Sequence, residues 1–414
     1  MPRPIVASGG FRGMNNLEQT PGILLDDAKR ITPKIALNVE VRDGGKLVRR
    51  QGYSLKISLL GSHSLWAGSV MLAAAAGVLY RIEGETATPI GTVSGPQAPV
   101  CYAEQDNLIY MATPTWEAVY DLLSGLVRSW GLTVPPAPDF DLVAGDMPPG
   151  TYSLCFTRSE GDRLSGNGPI VSVSWSGGSQ GIRVNNLPES GQCWITHPNG
   201  TDLFLANIEG GVIYGPPRIT PLPTFAVNPP SGLNHFALAH GRLWGCQGKR
   251  LIYSDPFMYE WFRTQNFKPF IEEIFMVAPV TDGLFVNSKS STWFLDGTDP
   301  AKMGLKRIGS GAVPGTLVYA EMPGAVVGGG YEMSRRLSVI PSPVWVGPHG
   351  YVIGTQTGHL VHLTQNRLKM SVRAQGGSLF RVKQGVPQII TVLRGQLLGE
   401  EPEEISVFES GKLF

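Results

Sequence analysis

Carboxylates beside turn-forming residues are the first places to look for chemistry. Ser254-Asp255-Pro256 and Asp296-Gly297-Thr298-Asp299-Pro300 crowd short oxygen-bearing side chains together. A Ca²⁺ ion would need about six to eight oxygens converging on it, and neither run has EF-hand spacing. Asp ahead of Pro or Gly is ordinary turn chemistry, so both are expected to be turns. Glu272-Glu273 and Asp26-Asp27 raise the possibility of a glycosidase carboxylate pair. Neighbours in a strand point to opposite faces, however, and would not flank one bond. A sialidase-type sheet repeat would read S-x-D-x-G-x-T-W; here Thr292-Trp293 keeps the last two letters, with Val286, Ser288 and Ser290 in place of Ser, Asp and Gly.

The remaining reactive types are dispersed. Of His63, His197, His235, His240, His349, His359 and His362, only the last two are close in sequence, with no Cys or acid beside them, so no metal site is expected. Cys101, Cys155, Cys193 and Cys246 form no CxxC pair and are expected as buried free thiols. Gly328-Gly329-Gly330 and Gly376-Gly377 lack a following helix and are expected in flexible turns. Trp66, Trp244, Trp261, Trp293 and Trp345 are expected in the core. No catalytic residue, cofactor or metal ligand is assigned, and the expectation is a protein that is not an enzyme.

The elements that would carry these residues are short. The 414 residues contain 52 Gly and 33 Pro, with 42% hydrophobic and only 16% charged residues. That balance disfavours long helices and supplies the turns of an all-β chain with surface to give to partners. The formal net charge of +1 provides no global field for nucleic acid or an anionic membrane. Residues 1–20 lack the apolar stretch of a signal peptide, and the longest apolar run, 70–76, falls far short of the about 20 residues of a membrane span. A soluble chain without a membrane span is expected. One helix is expected, over 24–38 and cut short by Pro33.

Elsewhere, β-rich runs alternate with Gly, Asn, Asp and Pro turns in five similar units, at 64–84, 99–127, 235–262, 274–308 and 342–368. In each, a turn leads to a strand with a bulky residue: Tyr80, Tyr110, Tyr253, Trp293 and His362. A single small sheet cannot bury both faces, whereas sheets arrayed around an axis can. The expected fold is all-β: a β-propeller of about five or six blades with an inserted fibronectin-like β-sandwich. Residues 1–60 form an N-terminal arm and closing strand, 61–135 and 229–370 blades, and 136–228 the sandwich; 371–414 are C-terminal strands and tail. Proline-rich stretches at 134–142 and 216–230 frame the insert and are expected to hold it at a fixed angle. The basic run 42–50 is expected to be an edge strand that closes the ring by pairing with the last blade.

Four segments in this order resemble the propeller proteins of bacteriophage tails, the nozzle or hub of short-tailed phages and related tail-tip proteins. They are Phe11-Arg12-Gly13-Met14-Asn15-Asn16 followed by the run from Ala36 to Tyr53; GTYSLCFTRSEGDRLSGNGP at 150–169; HGRLWGCQGKRLIYSDPFMYEWF at 240–262; and APVTDGLFVNSKSSTWFLD at 278–296. The resemblance covers about residues 11–365. It implies a virion structural protein, assembled in the host cytoplasm, that joins copies of itself in a cyclic ring, a hexamer. It also implies contacts with adaptor, tail-fibre or tip proteins, and phage DNA passing through the lumen without sequence specificity. The alternative is a propeller that binds or cleaves a surface polysaccharide.

Overall fold

Turn chemistry and apolar alternation together make this an all-β chain of small antiparallel sheets. The computed structural model describes residues 54–95, 97–321 and 341–364. It also describes the strands Leu24–Leu25, Ile31–Thr32, Val39–Arg42, Lys46–Arg49, Gln375–Lys383, Val386–Arg394 and Gly411–Leu413. The chain divides into two units, Leu59–Pro269 and a second made of Met1–Ser58 with Phe270–Phe414.

The first unit contains three meander sheets. The first is Ser62–Ala67, Met71–Ala75, Val78–Glu83 and Thr86–Thr92; the second is Cys101–Gln105, Leu108–Thr113, Trp116–Asp121 and Val127–Ser129. The third is His235–Ala239, Arg242–Gln247, Arg250–Asp255 and Met258–Pro269, with Val227–Asn228 added outside Met258–Pro269. Two-residue turns join several of these strands with both central residues at positive φ, as at Asp106-Asn107 (51° and 64°) and His240-Gly241 (51° and 69°). That backbone matches the twist of a hairpin.

Alternation along a strand lets one sheet serve two cores. Ile109 and Met111 of the second meander share a core with Leu72, Ala74 and Leu79 of the first. Their neighbours Tyr110 and Ala112 share another with Phe236, Leu243 and Phe262 of the third. The second meander is therefore buried on both faces.

Between the second and third meanders lie nine strands from Phe140 to Ile213. Phe140–Met147, Gln180–Val184, Val212–Ile213 and Ile208–Glu209 form one sheet, in that order. Arg163–Leu164, Gly150–Glu160, Gly191–Thr196 and Leu203–Leu205 form the other, with Val171–Trp175 also on Gly150–Glu160. Both sheets contribute to a single core of Met147, Tyr152, Phe156, Ile182, Ile195 and Ile213.

The second unit repeats the stacking. Ile274–Val280, Gly283–Ser288, Ser291–Asp296 and Gly304–Ser310 make one meander; Val318–Ala320, Ser342–Gly347, Gly350–Gly354 and Leu360–His362 make the next. Phe285 and Phe294 of the former pack with Trp345 and Val352 of the latter. The opposite face of the latter, Val344, Val346, Tyr351 and Ile353, packs with Ile389 of the sheet Gln375–Lys383, Val386–Arg394, Gly411–Leu413.

Several expectations change. The helix over 24–38 is contradicted, because Leu24–Leu25 and Ile31–Thr32 pair as an antiparallel ladder. Ile31 and Thr32 are β-branched, and Pro33 drives the residue before it away from helical geometry. Among the described residues the basic run, expected as a closing strand, pairs with itself: Val39–Arg42 lies against Lys46–Arg49 in a sheet of two strands, and the intervening Asp43-Gly44-Gly45 is a hairpin signal in sequence. Gly376 and Gly377 lie within a strand rather than a turn. A Cβ on Gly376 would stand 2.7 Å from both Leu393 and Thr316, so glycine permits the close approach there. The fifth unit begins earlier than 342, at Val318–Ala320. Tyr80, Tyr253 and Trp293 occupy third strands, whereas Tyr110 lies in a second strand and His362 in a fourth.

Phe285 sits 5.0 Å from Phe294 and 5.6 Å from Trp345, centroid to centroid, with Gly354 leaving room for its ring. Phe285→Ala is expected to destabilise the protein by about 3–5 kcal/mol, read as a lower urea midpoint at unchanged slope.

Candidate functional site

The most elaborate polar construction among the described residues is the junction that holds the nine-stranded body to its flanking meanders. The long strand Met258–Pro269 carries Glu260 at its start, and Val127–Ser129 carries Arg128. Glu260 accepts from Arg128 Nη1 at 3.2 Å on one oxygen and from Arg163 Nε at 2.9 Å on the other. Arg163 comes from the hairpin after Gly150–Glu160 and also donates to the Ser129 carbonyl at 3.1 Å. The Arg163 and Glu260 side chains are only 19% and 18% exposed, so water screens this pair weakly. The further contact of Arg163 with Glu160, 69% exposed, adds little. Beneath them Trp130 donates to the Tyr259 carbonyl at 3.0 Å and packs edge-on against Phe236.

The adjacent Ser165-Gly166-Asn167-Gly168 segment makes the second half of the joint. The Ser165 carbonyl accepts Thr224 Oγ1 at 2.7 Å, and Asn167 Oδ1 accepts the Ala226 N–H at 2.7 Å. A Cβ on Gly166 would lie 1.6 Å from the Val227 carbonyl oxygen, and one on Gly168 2.4 Å from that of Pro135. These glycines let the segment press directly on both linkers. The returning chain then joins the third meander, with Val227 opposite Arg263 and Asn228 opposite Phe262. Arg263 donates to the carbonyls of Phe225 (2.8 Å) and Pro223 (3.2 Å) and to Asp255 Oδ2 (2.8 Å).

Those contacts settle the role of Asp255. Arg263 occupies one of its oxygens and Asn266 Nδ2 the other at 3.0 Å, so it braces a turn. Asp299 caps its own turn, accepting the Ala301 N–H at 3.1 Å. Glu272-Glu273 lies in a bend before Ile274–Val280, not in a strand, which corrects the premise that their side chains alternate. Glu272 accepts hydroxyls from Ser288 (2.5 Å), Ser290 (2.6 Å) and Ser291 (3.1 Å), which hold its carboxyl below the usual range. Thr292 is buried and bonds to Asn287 and the Ser310 carbonyl. Trp244, Trp293 and Trp345 are buried, while Trp66 and Trp261 are half-buried. No set of three His, Cys, Asp or Glu gathers as a metal site among the described residues. Asp26-Asp27 and Gly328-Gly329-Gly330 lie outside them.

All four cysteines are unpaired, three buried and Cys101 half-buried. Burial pushes the Cys101 thiol up to about 11 and Cys155 up to about 12, and raises Cys193 and Cys246 as well. They stay protonated and are poor nucleophiles at neutral pH. Desolvation lowers His235 to about 4. Desolvation, reinforced by His349, also lowers His362.

The junction was not foreseen. Alternating glycines in 165–168 were its signal in sequence; nothing marked Glu260.

No protein-family model matches the chain, and no curated protein matches it. Among solved structures, the BBS1N part of its complex with ARL6DN overlaps at TM-score 0.30 and 11% identity, covering 81% of this chain and 89% of that one. The N-terminal domain of Nup159 overlaps at 0.29 and 8%, covering 93% and 97%. The extracellular domain of BT4673 from B. thetaiotaomicron overlaps at 0.34 and 12%, covering 81% of this chain and 39% of that one. Overlap this loose carries no argument about the present chain.

Glu260→Gln removes the charge that both arginines share and is expected to cost about 1–3 kcal/mol. Gly166→Ala should cost at least as much and expose the 216–230 linker, read as faster cleavage there in limited proteolysis. Below pH 6.5 the unfolded chain protonates its histidine before native His235 does. Stability should therefore fall from pH 6.5 to about 4, and His235→Gln should flatten that part of a chemical-denaturation pH profile.

Proposed function

We propose that this chain is a structural component of a bacteriophage tail, a propeller with an inserted fibronectin-like sandwich that joins copies of itself in a ring around the DNA exit channel. The observation that carries the reading is the position of residues 150–169. This stretch bears one of the resemblances to tail proteins, and its end, Arg163 to Gly168, makes the joint between insert and meanders. A segment with that task has little freedom to vary. Face-to-face stacking of successive meanders supports blades of a propeller, about six counting the C-terminal sheet. The insert supports a fibronectin-like sandwich through its single two-sheet core and through Tyr152, whose hydroxyl donates to the Pro148 carbonyl at 2.8 Å, similar to a tyrosine corner.

The function follows from stiffness. Sheets buried on both faces resist bending, and an insert clamped at both linkers presents its surfaces at fixed positions to neighbouring subunits. Repeated contacts between identical copies close into a ring under cyclic symmetry.

Negative-stain electron microscopy of the full chain at about 10 μM, ample for contacts of micromolar strength, is expected to show closed rings. A population of single particles with no rings at that concentration would end this reading.

A further inference from the structure

The chain's net charge of +1 hides a division. Residues 139–213 hold eight carboxylates and three arginines, a net of −5, which leaves +6 for the rest. Residues 1–58 alone hold ten Lys or Arg and five acids, a net of +5. We propose that the free edge of Phe140–Met147 pairs with the basic hairpin Val39–Arg42/Lys46–Arg49 of a second copy, extending the four-stranded sheet across the subunit boundary. This rests on the self-assembly reading above and names the contact.

Phe140–Met147 is the outermost strand of its sheet; Phe140–Ala144 pairs with Gln180–Val184, and past the register shift that follows, the Asp146 N–H donates to the Tyr214 carbonyl at 2.9 Å. The Asn185 N–H donates to the Asp139 carbonyl at 2.9 Å, which fixes the alternation. Backbone groups of Asp139, Asp141 and Val143 face inward, and those of Phe140, Leu142 and Ala144 face outward. Of the outward row, Leu142 and Ala144 are exposed, while the Phe140 side chain packs against the insert's core. Such a row is a template for another strand.

The hairpin supplies what the edge lacks. It is a sheet of two strands that belongs to no larger sheet among the described residues, and a lone hairpin is marginal in water. In sequence the hairpin carries Arg42, Lys46 and Arg49, opposite in charge to Asp139, Asp141 and Asp146 of the edge strand and its approach. Charge also excludes wrong pairings, since two acidic edges repel each other. Three other edge strands suit the hairpin less well. Thr86–Thr92 contains Pro89, Val127–Ser129 is three residues long, and Gly304–Ser310 carries Lys306 and Arg307, of like charge to the hairpin.

The test is sedimentation velocity of the full chain and two variants. Leu142→Pro removes an outward N–H that the sheet's own ladder does not use, so the fold should tolerate it. The triple variant Arg42→Glu/Lys46→Glu/Arg49→Glu reverses the hairpin instead. Each alone should associate at least about tenfold more weakly than the parent, and association of the parent should weaken with added salt. Mixed together they should form one-to-one pairs and nothing larger, because one intact edge then meets one intact hairpin. A misfolded variant would not produce that. If both variants assemble like the parent, the contact is wrong while the ring reading survives. If the parent is monomeric throughout, both fall.

Discussion

Small antiparallel sheets have two faces and little width, and water must be kept from both. In this protein two of the meanders meet the requirement by lending alternate residues of one strand to two different cores. Leu108–Thr113 does so with Ile109 and Met111 on one side and Tyr110 and Ala112 on the other. Ser342–Gly347 repeats the device with Trp345 against one neighbour and Val344 and Val346 against the other. Every other feature is subordinate to this stacking. The tight turns keep strands short enough to stack, and side chains such as Phe285 and Trp345 fill the space between sheets.

The same constraint explains what could be read from the sequence. Strand-and-turn punctuation was legible because turn backbone demands particular residues, as at Asp106-Asn107 and His240-Gly241. The alignment of strands between units was less so. A strand buried on both faces is apolar throughout, and Tyr110 in a second strand looks like Tyr80 or Tyr253 in a third. Val318–Ala320 carries no local signal of its pairing because its partner Ser342–Gly347 lies more than twenty residues on. The expected helix at 24–38 failed at Ile31, Thr32 and Pro33, where side-chain and backbone sterics outweighed an apparent helical pattern.

The junction was the least legible part. Its chemistry depends on residues distant in sequence: Arg128, Arg163 and Glu260 meet only because three sheets come together. Charge at such a place is costly to bury unless it is fully paired. Glu260 accepts from two guanidinium groups, and Arg163 turns its remaining donors to a carbonyl and to Glu160. The glycines at 166 and 168 belong to the same solution, since they let main chain lie on main chain where a side chain would force the bodies apart. A scaffold whose task is to keep parts in register needs such a joint more than it needs a reactive group.

The chain's return from the insert has a mechanical consequence. It does not re-enter through a slack tether: Val227–Asn228 lies antiparallel along Met258–Pro269, and Arg263 grips the backbone just before it. A pull directed along that strand would load its ladder and the arginine's bonds together, in shear. A pull across it would open them one after another. The insert is thus anchored more firmly in one direction than in another, and a load borne along the strand would be shared at once by the short ladder and the arginine's bonds.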